Sequence, residues 1–226
     1  MVQNSPGLVD SFCRTHDATA RVDKLQRKRM TNKDDITQTG QRGVHKTKFA
    51  DMLIFDLNIF TDPRGSFTEV WQSEAMEQMG LPKLQPKQLG VSRSKQGTIR
   101  AIHAEPYDKI VSALTGRIFC AMVDLRPESE TFGQVDSFEL DSTQMLYIPN
   151  GIGNATQAIS EEDVLYCYCV TGIWSAEKAY SGQYIAIHYA DPDLNIQWPI
   201  RGGKEIVSNK DRQNKLMRDY FPEHYV

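Results

Sequence analysis

From Lys48 onward the chain is cut into short runs of β-branched and aromatic residues, each closed within a few positions by Gly, Pro, Asp or Asn. That punctuation leaves no room for long helices and predicts a sheet protein, a sandwich or barrel, over residues 49–226. Strands are expected over residues 52–60, 67–71, 85–93, 98–103, 109–115, 117–125, 133–140, 144–148, 156–158, 164–170 and 184–188, with one helix over 73–79 that Gly80 and Pro82 stop. Thr115-Gly116 and Pro149-Asn150-Gly151 supply turn chemistry between strands. Spacing of this kind predicts an all-β jelly roll with a few short helices, its two sheets enclosing a pocket.

The first 48 residues are different material. They carry 10 of the 26 Lys and Arg but only 5 of the 29 Asp and Glu, so a basic head precedes an acidic body. Few large apolar residues fall in this head, and the expectation is an irregular, disordered N-terminal extension with at most a short helix over residues 18–30. It reads either as a basic arm that binds a partner or as a dispensable tail. The net charge of -3 argues against nucleic-acid binding. No apolar run is long enough to span a bilayer and no apolar stretch near Met1 resembles a signal peptide, which predicts a cytoplasmic protein without membrane contact. Cys13, Cys120, Cys167 and Cys169 have no spacing suited to a metal knuckle or redox pair, and reduced thiols are expected.

Chemistry concentrates in residues 99–109, where Arg100, His103 and Lys109 crowd one strand and the loop after it. The set suits an anionic, proton-donating substrate; equally, it reads as a histidine beside two solvated cations. Arg100 and His103 are three apart, so on a regular strand they face opposite ways unless the chain bends between them. In Val164–Val170 the two tyrosines, Tyr166 and Tyr168, share one strand face and the two cysteines the other. A buried phenol needs a partner for its hydroxyl, and a core aromatic is the plainer reading of either tyrosine.

Ordered pieces then accumulate in one register. They are Asp62-Pro-Arg-Gly-Ser-Phe-Thr-Glu69, Gln88 with Ser92 and Ser94, Ile99-Arg-Ala-Ile-His103, Val123-Asp-Leu-Arg126, Ser129-Glu-Thr-Phe-Gly133, Ile148-Pro-Asn-Gly151, Asp191-Pro192, Ile196-Gln-Trp-Pro199 and Ser208-Asn-Lys-Asp211. In these pieces the chain resembles the dTDP-4-dehydrorhamnose 3,5-epimerase family, cupin jelly rolls that act on nucleotide-linked 4-keto-6-deoxy sugars. The resemblance implies a cofactor-independent and metal-free epimerase that inverts the sugar at C3, C5 or both. By position it makes His103 the general base, Asp211 the carboxylate that orients it, Tyr168 the general acid and Lys109 the cation beside the C4 oxygen. Arg64, Arg100 and Lys210 fall at diphosphate positions, Glu69 and Gln88 at nucleotide and sugar contacts, and Trp174 where an aromatic lines the pocket. A homodimer sharing strands between subunits is also implied, and it would cover the edge that residues 52–60 and 67–71 leave bare.

Departures accompany the matches. Asn154 replaces a pocket histidine, Gly90 stands where an asparagine is usual, and the loop between base and lysine is cut to Ala104-Glu-Pro-Tyr-Asp108. Two other readings stay open. A non-catalytic sugar-nucleotide binder would keep the arginines without turnover; a metal-dependent cupin would need a His-x-His pair and a downstream histidine, where this chain has His103-Ala-Glu105 and Asn154.

Overall fold

The structure is a computed structural model that describes residues 36–40, 42–180 and 184–225. Cys13 and the expected helix over 18–30 lie outside the described residues.

Two six-stranded sheets face each other. The first runs β2 (Gly43–Lys46), β3 (Leu53–Asp56), β11 (Gln144–Ile148), β8 (Lys109–Thr115), β13 (Val164–Val170) and β6 (Gln88–Ser94). Opposite it run β10 (Val135–Leu140), β9 (Ile118–Asp124), β12 (Ile152–Ala158), β7 (Thr98–Ala104) and β14 (Ile185–Ala186), with β15 (Ile206–Val207) laid parallel to β7 beside β14. A small third sheet joins β1 (Thr37–Gly40), β4 (Asn58–Asp62) and β5 (Gly65–Glu69). The short helices are α1 (Ser73–Gln78), α2 (Ala176–Tyr180) and α3 (Met217–Tyr220). Gln72 caps α1 by accepting from Ala75 N at 2.6 Å.

Strand alternation sorts the side chains into three apolar layers. Val111, Ala113, Ile118, Cys120, Met122, Leu146, Ile148 and Val164 pack between the two sheets. Behind the first sheet, Phe55, Ile110, Met145 and Tyr147 are covered by Met76 of α1. Behind the second, Ile99, Ala101, Ile102 and Val123 meet Ile187, Trp198, Met217 and Phe221 of the C-terminal segment. Each such aliphatic side chain, fully buried, contributes about 1.5–3 kcal/mol.

Gly116 and Gly151 sit at φ +69 and +88, the left-handed backbone that the two expected turns need. The expectation of a disordered head does not hold for residues 37–40 and 43–46: β1 pairs with β4 and β2 with β3, so sheet partners rather than buried side chains hold these polar segments. The single strand expected over 52–60 is two, because Leu57 turns inward and donates its N–H to Thr143 O at 2.9 Å. β12 begins four residues earlier than expected, Ile152 rather than Thr156, since Gly153 continues the strand instead of breaking it. Cys120, Cys167 and Cys169 are free thiols. Among the described residues, no helix is long and apolar enough to cross a membrane.

Several of the ordered motifs prove to be structural. Asp124, fully buried at the end of β9, accepts from Arg126 Nη2 at 2.7 Å, Ser129 Oγ at 2.7 Å and Thr131 Oγ1 at 2.6 Å. Asp191 accepts from Met217 N at 2.6 Å and so anchors α3, while Trp198 Nε1 donates to Tyr189 O at 2.9 Å. Burial works against the Asp124 charge, yet these donors hold its carboxyl well below the usual carboxylate range. A depressed folded pKa adds stability that is complete above the unfolded value of about 3.9 and is lost as pH falls from there through the folded value. Asp124→Asn is therefore expected to lose about 1.5–3 kcal/mol at pH 7, the scale of a hydrogen bond to a charged group. Thermal unfolding from pH 7 to pH 3 should show the gap to the parent protein narrowing on acidification; a constant gap would refute the assignment.

Candidate active site

The two facing sheets splay to enclose a cavity of about 550 Å³. Of the residues singled out in the sequence, His103, Asp211, Lys109, Tyr168, Arg100, Asn154, Trp174 and Lys210 all line it.

His103 comes from β7 and Asn154 lies opposite it on β12. Between them the register slips: Asn154 pairs with His103 and Thr156 with Arg100, two steps on one strand against three on the other. Ala101 and Ile102 thus form a β-bulge, and both bury their side chains in the outer layer. The bulge is the bend the spacing demanded. It turns Arg100 and His103 into the same cavity.

On the far side of β7, β15 runs parallel and delivers the segment Ser208–Asp211 to the histidine. His103 Nε2 lies 2.8 Å from Asp211 Oδ1, with Asp211 nearly buried and His103 about 30% exposed. Ser208 Oγ accepts from Asp211 N at 3.0 Å, and Asn214 Nδ2 donates to Asp211 Oδ1 at 3.4 Å, fixing the carboxylate. Burial opposes the Asp211 charge, but the hydrogen bond and charge of His103 prevail and keep its pKa below the ordinary value.

The opposite sheet supplies Lys109 from β8 and Tyr168 from β13, each pointing inward by the period-two alternation that also buries Val111 and Val164. Lys109 Nζ donates to the carbonyl of His103 at 3.4 Å and forms a buried ion pair with Glu105. For Glu105, burial favours the neutral acid, and the Lys109 ammonium outweighs it, leaving the pKa below its usual value. Asn154 Nδ2 donates to Tyr166 OH at 3.4 Å, while Asn154 Oδ1 is buried without a partner among the described residues. Burial raises the Tyr166 pKa well above the phenol's ordinary value, so Tyr166 remains neutral.

This arrangement brings an imidazole paired with a carboxylate, two tyrosine phenols and a lysine together around one cavity. Among the described residues no group of three or more His, Cys, Asp or Glu is placed to hold a metal ion. Residues 46–219 match the sequence profile of dTDP-4-dehydrorhamnose 3,5-epimerases. The chain belongs to the dTDP-4-dehydrorhamnose 3,5-epimerase family. Its members are isomerases of dTDP-rhamnose biosynthesis.

Similar proteins agree. An RmlC homolog of Streptococcus pyogenes serotype M6 is 38% identical over 179 residues, covering 76% of this chain and 87% of that protein. The structure of RmlC from Streptococcus suis in complex with dTDP-D-xylose superposes with a TM-score of 0.71 at 33% identity, over 79% of this chain and 93% of that one. The 3,5-epimerase RmlC of Legionella pneumophila, in complex with dTDP-4-keto-L-rhamnose, gives a TM-score of 0.71 at 30% identity, over 79% of this chain and 94% of that one. The cupin-like β-sandwich expected for the family is the observed fold.

Three residues expected at the substrate, Arg64, Glu69 and Gln88, are not among those that line this cavity. Arg64, in the β4–β5 turn, pairs with Asp62 at 2.5 Å and lines a separate hollow with Phe60 and Phe67. Glu69 accepts from Arg42 Nη2 at 2.7 Å and from Asn58 Nδ2 at 3.2 Å. Both belong to the small third sheet, away from the cavity wall. Gln88 acts through another residue: its Oε1 accepts from Trp174 N at 2.6 Å and its Nε2 donates to Trp174 O at 3.3 Å, fixing the tryptophan at the rim.

Sequence reasoning overlooked Glu105, Tyr107 and Tyr184 as wall residues. Tyr107 meets Tyr184 edge-on at 6.3 Å and lies over Gly172, where a Cβ would approach its ring to 2.1 Å. The signal for Glu105 was its position four before Lys109 in a loop too short to carry either group away from the other.

Proposed function

We propose that this chain is a cofactor-independent epimerase that inverts C3, C5 or both of a dTDP-linked 4-keto-6-deoxyhexose through an enolate. The observation that carries this reading is the 2.8 Å contact of His103 with Asp211 in a cavity that Tyr168 and Lys109 enter from the opposite sheet. Because Nε2 of His103 is engaged by Asp211, Nδ1 is the nitrogen that removes the proton next to the ketone. Charge then develops on the C4 oxygen, where the preorganised Lys109 ammonium stabilises it. Tyr168, still carrying its proton, returns one to the other face of the carbon and inverts it. Asp211 meanwhile steadies the imidazolium.

Arg100 is positioned for the diphosphate: its Nε is held by Ser94 Oγ at 3.0 Å, and a guanidinium fork suits phosphate oxygens. Lys210 adds charge at the same mouth, and Trp174 offers an aromatic face to the sugar or base. The partnerless carbonyl of Asn154 is suited to a sugar hydroxyl, which donates where the histidine usual at this position also could accept. The solved relatives that hold dTDP-D-xylose and dTDP-4-keto-L-rhamnose support this substrate class. Free thiols are consistent with action in a reducing cytoplasm.

Arg64 and Glu69 gain a substrate role if the small sheet reaches a second copy, in a homodimer. The exposed Phe67, at 65%, and Leu89, at 68%, give such a contact apolar surface. Sedimentation should then give twice the chain mass. Mixed Arg64→Ala and His103→Ala proteins should regain activity that neither has alone, because one site of the hybrid is intact; absence of recovery would remove the shared site.

The deciding experiment incubates the protein with dTDP-4-keto-6-deoxyglucose in D₂O and follows C3 and C5 by NMR. Exchange with inversion is expected. No exchange at either carbon would leave a sugar-nucleotide binder instead.

A further inference from the structure

Arg42 lies outside the segment that matches the family, yet it is fastened to a residue inside it. The match begins at residue 46, so all of β1 and most of β2 precede it. These strands join two different sheets: β1 extends the small sheet at β4, and β2 extends the first large sheet at β3. Arg42, between them, turns inward with its side chain only 6% exposed. Its Nη2 donates to Glu69 Oε2 at 2.7 Å, and its backbone N–H donates to Asn58 Oδ1 at 3.0 Å. Asn58 Nδ2 donates to the same Glu69 oxygen at 3.2 Å across the β4–β5 pairing, and Gln38 Nε2 donates to Asn58 Oδ1 at 3.3 Å from β1. Each strand of the small sheet thus contributes a side chain to one polar cluster around Arg42.

Stability is a poor reason for this cluster. Two of the guanidinium nitrogens, Nε and Nη1, are buried with no hydrogen-bond partner among the described residues, and unmade donors cost free energy. An apolar side chain of similar length would fill the space without that cost. What the cluster supplies is orientation. Both donors to Glu69 fall on Oε2, which fixes the carboxylate while about a third of that side chain stays exposed. We infer that Arg42 is a positioning residue: it sets Glu69, and with it the small sheet, for contact with the nucleotide end of the substrate. This rests on the proposed homodimer, in which the small sheet carries Arg64 and Glu69 to the cavity of a second copy. β1 and β2 then buttress the binding arm, and this part of the basic head is not dispensable. The pairing also has an electrostatic use. A lone carboxylate repels a diphosphate, whereas one neutralised by a guanidinium offers its free oxygen to a nucleoside donor without that repulsion.

The consequence is confined to binding. Arg42→Met is expected to raise KM for the nucleotide sugar, and Kd for dTDP alone, about tenfold, the scale of one hydrogen bond to a charged group. The kcat for inversion should stay within about twofold, because binding lost equally from ground and transition states raises KM alone. The melting temperature should stay within about 3 °C of the parent, since the part-exposed Glu69 can turn to water once its partner is gone. Arg42→Lys keeps the charge without the guanidinium fork and should recover part of the affinity. An arginine that served only stability would lower the melting temperature and leave KM alone.

The test titrates dTDP and measures steady-state inversion of dTDP-4-keto-6-deoxyglucose in Arg42→Met, Arg42→Lys, Glu69→Gln and the Arg42→Met/Glu69→Gln double variant. Glu69→Gln should weaken dTDP binding at least as much as Arg42→Met does. In the double variant Arg42→Met should add less than about twofold to the loss in Glu69→Gln, because residues acting through one another are not additive. Three results overturn the inference: parent affinity in Arg42→Met beside impaired Glu69→Gln, a loss of folding or of kcat that accounts for the change in Arg42→Met, or a full additional loss in the double variant. Failure of the shared site gives a different pattern. Glu69→Gln and Arg64→Ala would then both bind dTDP as the parent does, and Arg42 would have no arm to position.

Discussion

Replacing His103 by alanine is expected to lower inversion about 10²–10⁴-fold, the range for a positioned acid or base, and to abolish deuterium exchange at both C3 and C5. The second half is the sharper claim. In the proposed scheme every bond-breaking step begins at one imidazole, so that scheme leaves no other group in the cavity to wash deuterium into the sugar. Tyr168→Phe, by contrast, should keep exchange while losing inversion, because proton removal precedes the step the phenol serves. Asp211→Asn should fall between the two. Its amide keeps the 2.8 Å contact with Nε2 but brings no negative charge to the imidazolium. The Asp211 carboxyl, held below its ordinary pKa, keeps its charge at neutral pH, so removing the charge removes a force present throughout the working range. Unfolding does not account for such a pattern, since His103 is part-exposed and is not a core residue; equal melting temperatures for the parent and His103→Ala proteins are the control. Residual exchange at either carbon in His103→Ala would show a second base and dismantle the one-base scheme.

Much of this site is legible in the amino-acid sequence. β8, β9, β11 and β13 alternate or run apolar without interruption, and turn residues mark their ends, so the strands that carry Lys109 and Tyr168 are set by local pattern. The convergence of His103, Asp211, Lys109 and Tyr168 is not a local matter; it follows from the order of motifs spread over more than a hundred residues. What stays hidden has physical reasons. The bulge at Ala101–Ile102 leaves no mark in composition, because two apolar residues in succession fit a buried strand as well as a bulge. β1 and β2 are polar and exposed, and only pairing with β4 and β3 makes them strands. Arg64 and Glu69 sit on a sheet that a single chain does not fold over its own cavity.

Lys109→Met is expected to lower inversion about 10²–10³-fold, the loss seen when one donor to a developing oxyanion is removed, and to destabilise the protein by about 3–5 kcal/mol, the scale of breaking a buried ion pair. Both follow from one pairing. Lys109 and Glu105 are each nearly buried and form their ion pair inside the cavity wall, so removing the ammonium strands a carboxylate. With Lys109 present, the folded Glu105 pKa lies below its usual value, and its contribution to stability is full above the unfolded value of about 4.3 and lost as pH falls through the folded one. Without Lys109 the sign reverses. Burial, the largest influence on Glu105, then acts with less opposition and raises the folded pKa above the unfolded value. The deficit of Lys109→Met should accordingly be greatest at pH 7–8, well above the ordinary carboxylate range, and shrink as pH approaches about 4. Adding Glu105→Gln should recover most of the stability, because a neutral amide tolerates burial where a lone carboxylate does not, and should leave inversion low. Thermal melts across pH and single-turnover inversion separate the two effects. A double variant that regained activity along with stability would mean that the ammonium serves only to neutralise Glu105, and that some other donor meets the charge at C4.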